Sequence, residues 1–170
     1  MSDVNTVLQI TVFLMELFPA IWLMFFPFER AAFRIPWPLV YAGFTVLGCV
    51  TAFYYAWSDN AGDRDSGIGF VALVVFILFL FLVRAKFTQK AMGWFIFNFY
   101  GDLQTIFIWI AHILRSVLRS EAISLDTVFD DKLYPVDSYL AFSYIVFNLI
   151  FFPIAALFVK KIINGYILIP

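Results

Sequence analysis

Four polar side chains fall on one face of the apolar stretch 92–114: Asn98, Asp102, Thr105 and His112. Steps of four, three and seven residues align them, because a helix advances about 100° per residue. A carboxylate that meets lipid costs several kcal/mol, so this stripe should face neighbouring helices or a small wet cavity. The spacing therefore predicts a polar face suited to hydrogen bonding or proton exchange.

Two polar residues outside this stretch, Glu16 and Asn148, could join this face. In the topology derived below, Glu16 and Asp102 both fall near the membrane midplane. Two neighbouring carboxylates in a low dielectric cannot both ionise cheaply. We therefore expect at least one to be protonated and bonded to the other, to Asn98 or to Asn148. The candidate polar core comprises Glu16, Asn98, Asp102, Thr105, His112 and Asn148.

Three interpretations of this core stay open. The first is interhelical hydrogen bonding that fixes the register of the bundle. The second is a polar switch that repacks when a ligand binds outside, and the third is a proton or ion path. Pro19 is relevant to all three interpretations. It has no N–H to donate to the carbonyl of Met15, so a bend or local water near Glu16 is expected.

Other chemistry is sparse. Cys49 is the only cysteine, and helical rise places it about 10 Å from the depth of His112, which disfavours a cysteine–histidine pair. His112 has no second metal ligand at matching depth, and Asp102 lies about 15 Å from it along one helix, too far for an acid–base pair. The turn 58–67 resembles half of a calcium loop but lacks the distal glutamate. We expect no catalytic, metal or cofactor site.

Composition indicates the environment of these residues. The chain is 64% hydrophobic and 21% aromatic with 23 Phe, and only 14% of it is charged. A soluble domain of 170 residues needs more polar surface than this, whereas lipid accepts Phe, Leu, Ile and Val directly. The sequence predicts an all-α, polytopic transmembrane helical bundle in the plasma membrane, with the lipid bilayer as its first partner.

Five apolar stretches have the length of a membrane-spanning helix, about 17–25 residues. They form a single transmembrane domain, 1–170, with spans at 4–27, 37–57, 67–83, 92–114 and 139–159. A basic hinge, 84–90, precedes the fourth span. Residues 115–138 pattern as an outer interfacial helix or cap. The tail 162–170 is either a surface segment or the start of a sixth span.

Basic residues orient the bundle. With the amino terminus outside and the carboxyl terminus in the cytoplasm, the cytoplasmic side receives Arg30, Arg34, Arg84, Lys86, Lys90, Lys160 and Lys161. These are seven of the eleven Lys and Arg residues, as the positive-inside rule requires. The outer side is acidic, which favours cationic or neutral ligands over nucleic acid. The candidate ligand-facing residues there are Asp59, Asp63, Asp65, Asp126, Asp130 and Asp131.

Three segments carry a family resemblance. They are ELFPAIWLMFFPFER at 16–30, FLVRAKFTQKAMGWFIFNFYGDL at 81–103 and PIAALFVKK at 153–161. Together they resemble the amino-terminal membrane domain of GHKL-type sensor histidine kinases of Firmicutes, the accessory-gene-regulator type that serves quorum and peptide sensing. The resemblance covers essentially the whole chain, and it rests on the order of spans, the "ELFP" start and the basic hinge.

The resemblance implies a sensor domain of a two-component system. Such a domain detects an extracellular peptide or small ligand and signals to a cytoplasmic kinase, as a homodimer when the kinase is attached. The phosphoacceptor histidine and the nucleotide-site motifs of that kinase are absent from this chain. We therefore expect no enzyme activity from it. The alternative is a small integral membrane subunit with a structural or transport role.

Overall fold

The computed structural model describes residues 3–57, 64–118 and 138–167. Within these ranges the chain is helical, with one isolated β-bridge, which confirms the all-α prediction for the described part. The α-helices are α1 (Asp3–Phe25), α2 (Trp37–Trp57), α3 (Arg64–Leu82), α4 (Phe87–Leu118) and α5 (Ser138–Ile167), and a short 3-10 turn spans Arg30–Ala32.

Two of the predicted segment boundaries need correction. The helix α4 begins at Phe87, inside the expected basic hinge, because the backbone N–H of Lys86 donates to Oε1 of Gln89 at 3.1 Å and caps the helix there. The helix α5 continues through Ile167, so residues 162–167 extend the fifth helix and do not begin a sixth. Residues 119–137 of the expected interfacial segment 115–138 lie outside the described residues. Its first four residues continue α4, and Ser138 begins α5.

Three helices are long and apolar enough to cross a membrane, through Val7–Phe25, Trp37–Tyr54 and Ser138–Lys161. This agrees with a membrane location. The apolar part of α3, Gly69–Leu82, is shorter than a full span. The helix α4 has 32 residues but a more polar composition than the others. The expectation of five spans is thus supported in three helices by length and composition.

The helix α1 is the hub of the bundle. It packs against α2, α4 and α5 and also touches α3, while α2–α3, α3–α4 and α4–α5 are neighbouring pairs. Phe25, at the end of α1, is fully buried. Its ring centroid lies 5.0 Å from that of Phe44 on α2 and 5.1 Å from that of Phe79 on α3. Aromatic packing therefore joins three helices at this end.

The two connections at this end pair with each other. The N–H of Arg34 donates to the carbonyl of Leu82 at 2.8 Å, and the N–H of Arg84 donates to the carbonyl of Ala32 at 2.6 Å. Lys90 adds a bond from Nζ to the carbonyl of Leu80 at 2.6 Å, where the carbonyls at the end of α3 attract a cation. The α1–α2 and α3–α4 connections therefore lie side by side.

Most of the described basic residues gather at that end. Val159 of α5 and Met92 of α4 line one groove, so the carboxyl-terminal part of α5 lies beside the start of α4. We call this the basic end; its members are Arg30, Arg34, Arg84, Lys86, Lys90, Lys160 and Lys161. Glu29 is the acidic residue among the described positions there. The grouping predicted from charge is thus present in the fold.

Gly93 allows α4 to approach α1 and α3 closely. A methyl group at this position would lie 2.9 Å from Cζ of Phe79 and 3.2 Å from the carbonyl oxygen of Met24. The backbone oxygen cannot move aside as a side chain can. Gly101, two turns later on the same helix, has nothing within 4 Å of the corresponding position.

We predict opposite effects for the two glycine-to-alanine substitutions. Gly93→Ala should lower the free energy of unfolding by about 1–3 kcal/mol through overpacking. Gly101→Ala should leave it unchanged or raise it by up to about 1 kcal/mol, because alanine is the better helix former. Thermal unfolding of both variants in the same detergent measures the difference. Equal stabilities would contradict the close approach at Gly93.

Candidate functional site

The centre of the candidate site is the carbonyl of Met15. Pro19, four residues later in α1, has no N–H to donate to it. The carbonyl instead accepts from Nε2 of Gln104 on α4 at 2.7 Å and from Nδ2 of Asn148 on α5 at 3.0 Å. Two side-chain amides therefore replace the missing backbone donor, and they come from two different helices.

Asn148 uses both ends of its amide. Its Oδ1 accepts from the hydroxyl of Tyr100 at 2.8 Å and from Nε2 of Gln104 at 3.3 Å. Its Nδ2 also donates to the carbonyl of Tyr144, one turn earlier in α5, at 2.8 Å. All four hydrogen-bonding positions of the amide are filled. We call Tyr100, Gln104, Asn148 and the carbonyl of Met15 the polar node.

The polar node is enclosed by apolar surroundings. Gln104 is 1% exposed, Tyr100 2% and Asn148 8%. The ring of Phe147 packs 5.4 Å from that of Tyr100 and 5.3 Å from that of Phe107, centroid to centroid. Hydrogen bonds are stronger electrostatically in such an environment, and leaving a member unpaired is costly. The node therefore fixes the register of α1, α4 and α5.

One acceptor in the node stays available. Oε1 of Gln104 is buried and has no hydrogen-bond partner among the described residues. Buried polar atoms in proteins are nearly always paired with protein or ordered water. This oxygen is thus a point at which a donor from a water molecule or a ligand could enter the node.

A groove between α1 and α5 reaches the node. Its volume is about 300 Å³ and it is open on one side. Its walls are Met15, Phe18, Pro19, Trp22, Ile145, Asn148, Leu149 and Phe152. We call it the node groove. The walls are apolar apart from the Asn148 side chain, so an occupant of the node groove would contact a member of the node directly.

Two of the residues predicted for the polar core do not lie in the interior. Asn98 and Asp102 are exposed on the outer surface of α4. The buried face of α4 consists of Gly93, Phe97, Tyr100, Gln104, Ile108 and His112. Asp102 is two residues from Gln104 and therefore about 200° away around the helix. The prediction that the stripe faces inward is wrong for Asn98 and Asp102.

Two polar groups of the stripe, those of Asn98 and Thr105, bond within their own helix. Nδ2 of Asn98 donates to the carbonyl of Trp94 at 2.8 Å, and the hydroxyl of Thr105 donates to the carbonyl of Gly101 at 3.1 Å. Such local bonds satisfy a side chain without a neighbouring helix. A polar residue on a membrane helix therefore does not by itself mark the buried face.

The remaining members of the predicted core are divided between two levels. Asn148 belongs to the node, and Glu16, which adjoins Met15, is half-buried. His112 is buried near the opposite end of α4, where its ring lies 6.0 Å from that of Tyr139. The guanidinium of Arg115 lies 4.8 Å from the centre of the same tyrosine ring. His112 and Tyr139 thus hold α4 to the start of α5.

Sequence reasoning missed Tyr100 and Gln104. The sequence carries a signal for them, because Pro19 predicts a free carbonyl and Gln104 is an uncharged amide in the 93-97-100-104-108 repeat, whose other members are Gly93, Phe97, Tyr100 and Ile108. Asp102, the acidic residue of α4, indicated a different face. The proposed outer ligand residues Asp59, Asp63, Asp126, Asp130 and Asp131 lie outside the described residues, and Asp65 is described only as a member of α3. Within the described ranges, no three His, Cys, Asp or Glu residues are grouped as a metal site would require.

The node predicts a ranking of substitutions. Asn148→Leu should lower the free energy of unfolding by about 1–3 kcal/mol, because it leaves the Tyr100 hydroxyl without its acceptor and removes a donor from Met15. Asn98→Leu removes an amide of the same kind that bonds its own helix, so it should cost less than about 0.5 kcal/mol. Unfolding in detergent measures both. A larger loss for Asn98→Leu would refute the assignment of the node.

Comparison with protein-family models, with curated proteins and with solved structures found no match to this chain. We therefore infer a function from the geometry of the node, the two ends of the bundle and the apolar grooves.

Proposed function

We propose that this chain is the membrane-embedded sensor or receptor domain of a bacterial signalling protein. All five helices cross the membrane in this proposal, with the amino terminus outside and the basic end in the cytoplasm. The grouping of seven basic residues at one end supports that orientation through the positive-inside rule. Length and apolar composition support spanning for α1, α2 and α5.

The observation that carries the proposal is the polar node. It joins the hub helix α1 to α4 and α5 through hydrogen bonds to one backbone carbonyl. A carbonyl in hydrocarbon must have a hydrogen-bond partner. The three helices should therefore exchange between arrangements in which the Met15 carbonyl is bonded, and not separate gradually. A discrete, exchangeable contact between three helices is the kind of element on which a membrane switch depends.

In this proposal a signal reaches the polar node through the stretch 119–137. The stretch 119–137 links the end of α4 to the start of α5, the two helices that reach Met15. This stretch contains Glu121, Asp126, Asp130 and Asp131. A cationic or neutral peptide attracted to these acids would act on both helices at once. Displacement of α5 against α1 would then reach Lys160 and Lys161 at the basic end.

The second candidate is a small structural or transport subunit. A transport path for ions or hydrophilic solutes needs polar walls. The two grooves described in this bundle have apolar walls, with Asn148 as the main exception. Their chemistry suits apolar occupants, which argues against the transport role of this candidate. The following experiment separates the two candidates.

We predict that the node controls an attached output. The chain should be fused after Pro170, through a series of helical linkers differing by one residue, to the dimerisation and ATPase region of a histidine kinase. In whole cells, phosphorylation also requires that the fusion point lie in the cytoplasm, where ATP is. Asn148→Leu and Gln104→Leu should each change the basal phosphorylation at least about fivefold, as expected for a coupling of about 1 kcal/mol.

The matched control is Asn98→Leu, which removes an amide outside the node and should leave phosphorylation unchanged. Membrane levels of each fusion, measured on the same samples, normalise the signal. Phosphorylation that is absent at every linker length, or identical in the node variants and the wild type, would contradict the sensor proposal and favour a subunit without signalling output.

A further inference from the structure

A second groove lies between α4 and α5, on the other side of α5 from the node groove. Its volume is about 290 Å³. Its walls are apolar apart from the Tyr100 side chain: Leu23, Met92, Phe95, Ile96, Phe99, Tyr100, Leu103, Phe151, Ile154, Ala155, Phe158 and Val159. Leu23, which is fully buried, comes from the hub helix, and the walls come from the two outer helices. We call it the α4–α5 groove.

The length of this groove matches one leaflet. From Met92 to Leu103 the wall on α4 extends about 16 Å at the helical rise. Half of a hydrocarbon core of about 30 Å is close to this length. The groove thus extends from the basic end to the level of Tyr100, a member of the polar node. A helix that crosses the whole bilayer would need a longer groove to pack into.

Positively charged residues lie near the end of the groove at the basic end of the bundle. Lys160 and Lys161 directly follow Val159, the last groove residue on α5, and both are exposed. Lys90, two residues before Met92, is held by its bond to the carbonyl of Leu80. No acidic residue among the described positions lies on α5 near these lysines. Lys161 lies on the groove side of α5, three residues after Phe158 and seven after Ile154, whereas Lys160 is about 200° around the helix from Phe158. Lys161 therefore offers a cation at the mouth of the apolar groove.

We infer that the α4–α5 groove binds a phospholipid with an anionic head group. One acyl chain lies in the groove, and the phosphate-bearing head group contacts Lys161. Clusters of basic residues next to membrane helices select anionic lipids in this way. The inference requires a membrane location but not the sensor role, so it can fail or stand independently of the proposed function.

The test compares lipid retention by the full chain. The protein is purified in detergent, supplied with equal amounts of phosphatidylglycerol and phosphatidylcholine, and its bound lipids are measured by native mass spectrometry. The wild type should retain phosphatidylglycerol at least about fivefold over phosphatidylcholine, as one lysine near an anionic head group implies. Equal retention of the two lipids would overturn the head-group assignment.

Two pairs of variants separate the chain contact from the head-group contact. Ala155→Phe fills the groove and should reduce total retained lipid at least about fivefold, whereas Leu157→Phe, on an exposed position of the same helix outside the groove, should not. Lys161→Gln should abolish the preference for phosphatidylglycerol. Lys160→Gln, on the other side of the same helix, should preserve it.

Two outcomes would overturn the inference. One is undiminished lipid binding by Ala155→Phe that remains folded, as judged by its unfolding midpoint. The other is a wild-type mass that shows a second copy of the chain bound and lipid excluded. If Ala155→Phe does not fold, the lysine variants decide: an unchanged preference in Lys161→Gln refutes the inference, and a preference lost in Lys161→Gln but kept in Lys160→Gln supports it.

Discussion

The arrangement of this bundle depends on one backbone carbonyl. Pro19 deprives the carbonyl of Met15 of its helical donor in the middle of an apolar helix, and an unpaired carbonyl in hydrocarbon costs several kcal/mol. Gln104 and Asn148 supply the donors, and Tyr100 orients Asn148. Because these side chains belong to α4 and α5, the requirement of one residue in α1 determines which helices surround it and at which height.

The rest of the bundle is held by packing that distinguishes its two ends. At the basic end, the Phe25 ring joins α1 to α2 and α3, and the paired connections hold the helix ends together. At the other end, the Tyr139 hydroxyl donates to the carbonyl of Ala111 at 2.7 Å and ties α5 to α4. The node lies between them. In the proposed sensor, an outer signal would reach the basic end by changing which partner the Met15 carbonyl keeps.

Much of the fold could be predicted from sequence, because apolar length and helix-ending residues specify helices locally. The helix α2, Trp37–Trp57, coincides with the expected stretch 37–57, and Pro36 immediately before it supplies the carbonyl that its first turn uses. The face that each helix buries was harder to predict. Phe, Leu and Ile occupy both the interior and the lipid-facing surface, as buried Phe97 and exposed Phe95 and Phe99 show, so hydrophobicity does not distinguish them. Asp102 suggested the wrong face of α4, whereas the donor that the Met15 carbonyl needs comes from Gln104 on the buried face.

A double-mutant cycle between Pro19→Ala and Asn148→Leu tests this account most directly. Alanine at position 19 restores an N–H that can donate to the carbonyl of Met15, so the loss of Asn148 should then cost less. The free energies of unfolding of the two single variants and the double variant in one detergent should show a favourable coupling of about 1 kcal/mol, and Pro19→Ala with Asn98→Leu should show none. Additive effects in the first pair would contradict the central role of the Met15 carbonyl.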